Sequence, residues 1–259
     1  GMMIPDSLHG EIPEYMHISL KNKRMLYKSE MMMLEMLANT NWERPMYMAI
    51  TVGQENHLNL GNNFMQEGLA YRITPFNTTA LGARYDTEKM YDNLMHKFKF
   101  GGIDKEGIYL DETVLRMSQT HRRMFVQLST ELIKEGKDEM ALKALDYCQQ
   151  VIPSTNVPHD YIMSSSKEMA DNYWALGEKE KAEAIYSELA NKSIEYIAWY
   201  LTLDDMKLAS VYENCVRNFY MLDEINKSPM RSAELEEGDE MASSSEMALH
   251  YAKKFEELY

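Results

Sequence analysis

The sequence predicts a mainly α-helical chain of paired helices stacked as a solenoid (an α-α superhelix), with a small two-stranded β element near the N-terminus. Three observations predict it. A helix–turn–helix phrase is written twice between Arg122 and Ile194, first as FVQLSTELIKEGKDEMALKALDYCQQVIP and then as YWALGEKEKAEAIYSELANKSI. In each copy a helix ends at a glycine, Gly136 or Gly177, and Ala141 or Ala182 opens the next helix a few residues on. Repeats of this kind bury their apolar faces only against one another. The second observation is a change of period near the N-terminus, from helical spacing to strict alternation. The third is a composition of 45% apolar and 26% charged residues with 12 Gly and 7 Pro, which is globular and favours helices.

In chain order, residues 2–22 read as an irregular lead-in, with Tyr15 to Leu20 as a short extended piece. From Lys23 to Thr40 the residues Met25, Leu26, Met32, Met33, Met36 and Leu37 recur at helical spacing. In RPMYMAITV, Met46, Met48 and Ile50 alternate with Tyr47, Ala49 and Thr51, which predicts a strand entered at Pro45. Leu60 to Gln66 reads as a helical turn, and GLAYRIT from Gly68 alternates again as the second strand. Asp86-Thr87-Glu88 opens a helix reaching about Phe98, with its acidic residues at the positive end of the helix dipole. Asp111 caps a helix expected over Glu112 to Glu135.

After the two repeat copies, Ile194, Ile197, Ala198 and Leu201 predict a new helix. Asp204 or Asp205 starts another that carries Met206, Ala209, Tyr212, Val216, Phe219 and Leu222. Ser228 to Ser245 reads as an acidic, Ser-rich loop, and Met247, Ala248, Tyr251, Phe255 and Leu258 predict a closing helix that caps the solenoid. The chain thus divides into an α+β subdomain over 1–110 and a helical repeat subdomain over 111–259.

Charge and motifs exclude several function classes. Twenty-seven basic against 41 acidic residues give a net charge of −14, the wrong sign for a nucleic-acid or anionic-membrane surface. No apolar run approaches the ~18–20 residues of a membrane span. Gly1 ahead of Met2 reads as a remnant of tag removal, so a longer parent protein is expected. Cys148 and Cys215 fall in helical patterns without metal or redox spacing and read as buried thiols. The seven histidines are scattered, and His159-Asp160 reads as a solvated loop pair. HExxH, CxxC, P-loop, dinucleotide-glycine and GxSxG patterns are all missing from the sequence. No catalytic residue, metal or cofactor is therefore expected.

Two groups of residues stand out. Arg44, Glu67 and Arg72 surround the predicted strands, and an arginine among alternating apolar positions requires a carboxylate or carbonyl partner when buried. This cluster reads as structural, an ion pair fixing strand and loop. The second group comes from the repeats, which resemble the tetratricopeptide pattern when aligned on Ala141 and Ala182. Phe125, Leu128, Ser129, Leu132, Leu145, Cys148 and Pro153 fill the signature places in the first copy; Met169, Ala170, Tyr173, Tyr186, Leu189 and Ile194 do so in the second. The period between Ala141 and Ala182 exceeds the family's ~34 residues, so the connection around Ser154–Asp160 is lengthened. By analogy with tetratricopeptide grooves, the concave face carries Arg123, Val126, Thr130, Ile133, Ser164, Lys167, Asp171 and Trp174, and a protein or peptide is the expected partner.

Residues 41–75, NWERPMYMAITVGQENHLNLGNNFMQEGLAYRITP, carry a further resemblance. The N-W-x-R-P-[IM]-Y-[FM]-A phrase (Asn41 to Ala49) and the E-G-L-A-Y-R phrase (Glu67 to Arg72) resemble a segment of Bacteroidetes multi-pass membrane proteins related to protein O-mannosyltransferases, where it follows the last membrane span. Lys99 to Gly102, Ile108 to Glu112 and the hairpins fit the same family. The resemblance implies a region on the periplasmic side of the cytoplasmic membrane, attached to the membrane portion of the same parent protein. The family's acidic catalytic residues lie in that membrane portion, so none carries over to this chain. Two functions follow. One is a non-catalytic accessory module positioning acceptor proteins or partners for a membrane glycosyltransferase. The alternative is an independent soluble enzyme or ligand-binding protein with a site near Arg44, Glu67 and Arg72.

Overall fold

In a computed structural model, residues 10–21, 23–160 and 165–229 are described. The chain forms two compact units, 1–98 and 99–259.

The first unit packs helix α1 (Lys28–Asn39) against a small sheet of β1 (Tyr47–Ala49), β2 (Phe64–Gln66) and β3 (Ala70–Ile73), followed by α2 (Thr87–Asp92), which runs into a π-helical turn at Asn93–Lys97. The sheet has three antiparallel strands in the order β1-β3-β2, not two. The expected helical turn at Leu60–Gln66 splits into a 3-10 turn at Leu60–Asn63 and the strand β2. All three β2 residues are buried. A strand covered on both faces shows no alternation, which is why its sequence does not announce it. Among the described residues the Tyr15–Leu20 segment pairs with no strand; instead Met16 and Ile18 pack on the core of Leu37, Leu58, Leu60, Phe64 and Ile73. The pairing Tyr47↔Arg72↔Met65 sets those three residues on one face of the sheet. Phe64, Tyr71 and Ile73 point the other way, toward the core that includes Leu37 of α1. Helix α1 starts at Lys28, later than the apolar spacing suggests. There the Glu30 carboxylate accepts from the Tyr27 N–H at 2.9 Å and pairs with Lys23.

The second unit contains α3 (Glu112–Lys134), α4 (Asp138–Val151), α5 (Ser166–Ala175), α6 (Lys179–Tyr200) and α7 (Asp205–Asn226). Helix α3 packs on α4, α5 on α6 and α6 on α7, with α5 also touching α3 and α4. The glycine turns of the two hairpins are built alike. After α3, Gly136 takes φ +72°, its N–H donates to Ile133, and Lys137 donates to Leu132. After α5, Gly177 takes φ +82°, its N–H donates to Trp174, and Glu178 donates to Tyr173. Both are Schellman closures, in which a left-handed residue lets the chain satisfy the last helical carbonyls and reverse. Ala141, Leu145, Ala182 and Tyr186, the repeated positions, lie in the core.

The predicted new helix beyond Ser193 does not exist; α6 runs unbroken to Tyr200, with Ser193 and Ile194 buried inside it. Asp111 and Asp204 cap α3 and α7 through the Val114 and Lys207 N–H groups. The tract after Lys99 folds into this unit: Asn156 Nδ2 donates to the carbonyls of Ile103 and Lys105 at 2.7 and 2.9 Å. Most of the acidic loop expected over 228–245, and all of the closing helix over 247–258, lie outside the described residues.

Candidate functional site

In the first unit the polar centre is Glu67, at the start of the hairpin between β2 and β3. Its N–H donates to the Ala70 carbonyl at 3.0 Å across a two-residue turn, Gly68-Leu69, in which Gly68 takes φ +122°. That turn requires a residue without a side chain at its first central position. Arg72 Nη2 lies 2.6 Å from Glu67 Oε1, with both side chains 3% exposed. Lys89, from α2, approaches Glu67 Oε2 at 3.0 Å, and the Tyr47 hydroxyl donates to the same oxygen at 2.9 Å. Arg72 Nη2 donates to the Tyr47 oxygen at 3.3 Å, and its guanidinium carbon sits 5.8 Å from the centre of the Tyr47 ring. Asn93 Nδ2 closes the group on the Glu67 carbonyl at 2.8 Å.

The Arg72–Glu67 contact is close but poorly aligned. Neither Glu67 Oε1 nor Arg72 Nε makes a hydrogen bond among the described residues, so the attraction is mainly between charges. Two of the three residues singled out from sequence are thus brought together, and the third is not. Arg44 is exposed, and its carbonyl accepts from Thr40 Oγ1 at 3.2 Å. Tyr47 and Lys89 complete the network. Sequence reasoning passes over them because each comes from a separate element about twenty residues from Glu67.

In the second unit, the residues expected on a concave face divide between packing and surface. Val126 is buried, and its carbonyl lies 3.3 Å from Asn172 Nδ2 of α5. Asn172 Nδ2 also donates to Ser129 Oγ and Thr130 Oγ1, each at 2.9 Å. Arg123 and Ile133 are half-buried, and Arg123 Nε finds no partner among the described residues. Lys167 pairs with Asp171 at 2.8 Å, Asp171 accepts from the Tyr186 hydroxyl, and Lys179 Nζ sits 5.1 Å from the centre of the Trp174 ring. Ser164 lies outside the described residues.

A buried polar cluster that the sequence does not reveal lies at the connection between the hairpins. Arg122 is fully buried in α3. Its Nη2 donates to the carbonyls of Ile152 and Val157 at 3.0 and 2.6 Å, and its Nη1 to that of Pro158 at 3.3 Å. Burial holds the Arg122 pKa below its ordinary value, against the opposing pull of Cys148, Asp160 and Glu188. His159, expected to be solvated, is instead buried: its backbone N–H donates to Glu188 Oε1 at 3.0 Å and its Nδ1 lies 2.7 Å from Ser166 Oγ. Burial, helped by the Arg122 charge, drives the imidazole down to about 3. A serine and a histidine at that distance have the spacing of an activated nucleophile and its base. Both side chains are buried, His159 in the connection and Ser166 at the first position of α5. Burial likewise pushes the Cys148 thiol up to about 12. Among the described residues no three His, Cys, Asp or Glu side chains converge on a possible metal site.

Residues 1–92 match the family model described as TMEM260-associated domain 2. The match covers almost all of the first unit, including the 41–75 phrases and Tyr47, Glu67, Arg72 and Lys89, and none of the helical hairpins. No curated protein and no solved structure gives a significant match to the chain. No helix among the described residues is long and apolar enough to cross a membrane. By its description, the matched domain is one associated with TMEM260.

Proposed function

We propose that this chain is a non-catalytic accessory module of a membrane glycosyltransferase of the protein O-mannosyltransferase-like kind. In this reading it stands on the periplasmic side of the membrane and positions acceptor proteins or partner subunits for the membrane portion of the same parent. The observation that carries the reading is the match of residues 1–92 to a domain defined by its association with TMEM260. The Arg-Pro and Glu-Gly-Leu-Ala-Tyr-Arg phrases fall inside that match and resemble the same family.

The site chemistry supports an architectural role. Glu67, Arg72, Lys89 and Tyr47 are engaged with one another, and the central ion pair is sealed from solvent. That burial weighs against the rival reading of an independent enzyme with a site near Arg44, Glu67 and Arg72. We take the paired helices α3/α4 and α5/α6 as tetratricopeptide-like, offering a surface to a protein or peptide. Met206 (85% exposed), Tyr212, Val216 and Tyr220 of α7 add apolar side chains to the exterior of that unit.

The test has two arms. The reading frame upstream of Met2 is expected to encode several apolar spans of ~20 residues; a start codon immediately before Met2 would overturn the proposal. Deleting the region from the parent gene is expected to lower the sugar content of acceptor proteins, read by mass spectrometry, while the membrane portion remains inserted. Unchanged glycosylation would rule out an accessory role.

A further inference from the structure

The first unit holds a second site, an open cleft of about 400 Å³ whose lining includes Asn59, Asn62, Asn63, Asn77, Tyr15 and Phe76. Its size falls within the ~300–1,000 Å³ usual for small-molecule sites. Buried hydrogen bonds make its floor rigid. Thr74 and Thr78 are fully buried; their hydroxyls lie 2.7–3.1 Å from the carbonyls of Asn62, Asn63, Phe64 and Phe76. Asn63 Nδ2 adds bonds to the carbonyls of Thr74 and Phe76 at 3.2 and 2.9 Å. Two loops that approach the cleft from different parts of the chain are therefore stitched together before any ligand arrives.

The backbone that leads into the rim at Asn59 is strained. Leu58 and Asn59 are consecutive non-glycine residues in the left-handed region, at φ +49° and +59°. Such conformations are costly and collect where function holds them. This one turns Asn59 toward the lead-in segment, where its Nδ2 donates to the Ser19 carbonyl at 2.7 Å.

The polar groups left over define the ligand. Asn62 Oδ1 accepts from Thr79 Oγ1 at 3.3 Å and Asn77 Oδ1 accepts from the Ala80 N–H at 2.9 Å, which orients both amides. Among the described residues their NH2 groups and the Asn59 Oδ1 make no hydrogen bond and can serve as donors and acceptor. Among the described residues no lysine or arginine lines the cleft, so a phosphate or carboxylate would lack a counter-charge. Besides Tyr15, the ionisable groups described there are Glu11 and His17, too few to hold a metal. A neutral ligand rich in hydroxyls matches this inventory, because each hydroxyl donates and accepts as an asparagine amide does. Tyr15, 69% exposed, supplies an aromatic face for the C–H side of such a ring. We propose that the cleft binds a saccharide ring. This rests on the cleft alone and stands whether or not the chain serves a glycosyltransferase.

Saturation-transfer NMR on the full 259-residue chain tests it, with the methyl glycosides of glucose, mannose, galactose and N-acetylglucosamine as probes. Transfer to at least one glycoside is expected. Its affinity should fall about tenfold or more in Asn62→Ala/Asn77→Ala, the effect of losing two ordinary hydrogen bonds. Tyr15→Ala should weaken it similarly, and Glu183→Ala, in the second unit, should leave it unchanged. Asn62, Asn77 and Tyr15 are exposed, so the variants should stay folded, and the double variant should melt only slightly lower because it also loses the bonds from Thr79 and Ala80. Transfer to none of the glycosides overturns the proposal, as does equal transfer in the double variant. Binding of a blocked tri-alanine peptide without any glycoside would reassign the cleft to peptide backbone and equally overturn it.

Discussion

Arg122 Nη2 donates to the Val157 carbonyl at 2.6 Å, tying the middle of α3 to the connection that separates the two helical hairpins. This connection, residues 152–165, is much longer than the short turn inside either hairpin. Extra residues bring extra backbone carbonyls, and buried carbonyls need donors. A guanidinium offers five N–H groups in one plane. Those of Arg122 serve Ile152, Val157 and Pro158 together.

Arg122→Met should therefore be strongly destabilising although it removes a charge from the interior. The methionine fills the volume but leaves three carbonyls without their donor, a loss of about 3 kcal/mol. Arg122→Lys should recover only part of it, since one ammonium cannot reproduce the planar fork. Urea unfolding followed by circular dichroism measures both. An Arg122→Met midpoint equal to that of the parent would show that the contacts to 152–158 contribute nothing.

His159 makes stability depend on pH in a definite direction. In the folded chain the imidazole stays neutral down to about pH 3, whereas in the unfolded chain it takes a proton near its ordinary 6.5. Between these values the unfolded state binds more protons, so stability rises with pH. The contribution is complete above about pH 6.5 and is lost as pH falls toward 3, at up to about 1.4 kcal/mol per pH unit. Comparing the parent with His159→Gln cancels the carboxylates common to both. The difference in unfolding free energy should shrink steadily from pH 7 to pH 4, and a constant difference would mean that His159 titrates alike in both states.

At the sheet, Glu67→Gln keeps the shape of the carboxylate and deletes its charge, leaving Arg72 buried without a counter-ion. Breaking a buried pair from one side costs about 3–5 kcal/mol. The half-exposed partners Lys89 and Tyr47 place this one toward the lower end of that range. Tyr47→Phe removes one hydrogen bond to the carboxylate and should cost about 1 kcal/mol. Thermal unfolding with hydrogen exchange at β3 reads both. Equal melting temperatures for Glu67→Gln and the parent would refute the structural role.

These residues also mark how far the sequence can be read. Helices α3, α4, α5 and α7 are legible because apolar positions recur every third or fourth residue and a glycine or capping aspartate marks an end of most of them. The end of α6 at Tyr200 is not, since no such residue marks it. Glu67 and Arg72 are legible because a charge among alternating apolar residues demands a partner. Lys89 and Tyr47 are not, since their approach depends on how α2 and β1 meet the hairpin. Arg122 is hidden for a related reason: an arginine on a long helix reads as solvated until the carbonyls it serves are in place. Strand β2 is hidden by its three-residue length and by burial on both faces. The cleft asparagines escape notice because Asn59 and Asn62 meet Asn77 only across the Thr74–Thr78 stitching.

The duplicated turns give a prediction that compares the two hairpins directly. Gly136 and Gly177 take left-handed φ values of +72° and +82°, and a methyl group built on either meets no atom within 4 Å. The cost of Gly136→Ala or Gly177→Ala is thus purely that of a left-handed backbone, about 1–2 kcal/mol at each site. Because the closures carry the same hydrogen bonds, the two losses should agree, and because the turns share no partner they should add in the double variant. Chemical denaturation of the three variants measures this. A large loss at one glycine and none at the other would mean that the two hairpins are not equivalent folding units, whatever their shared sequence pattern.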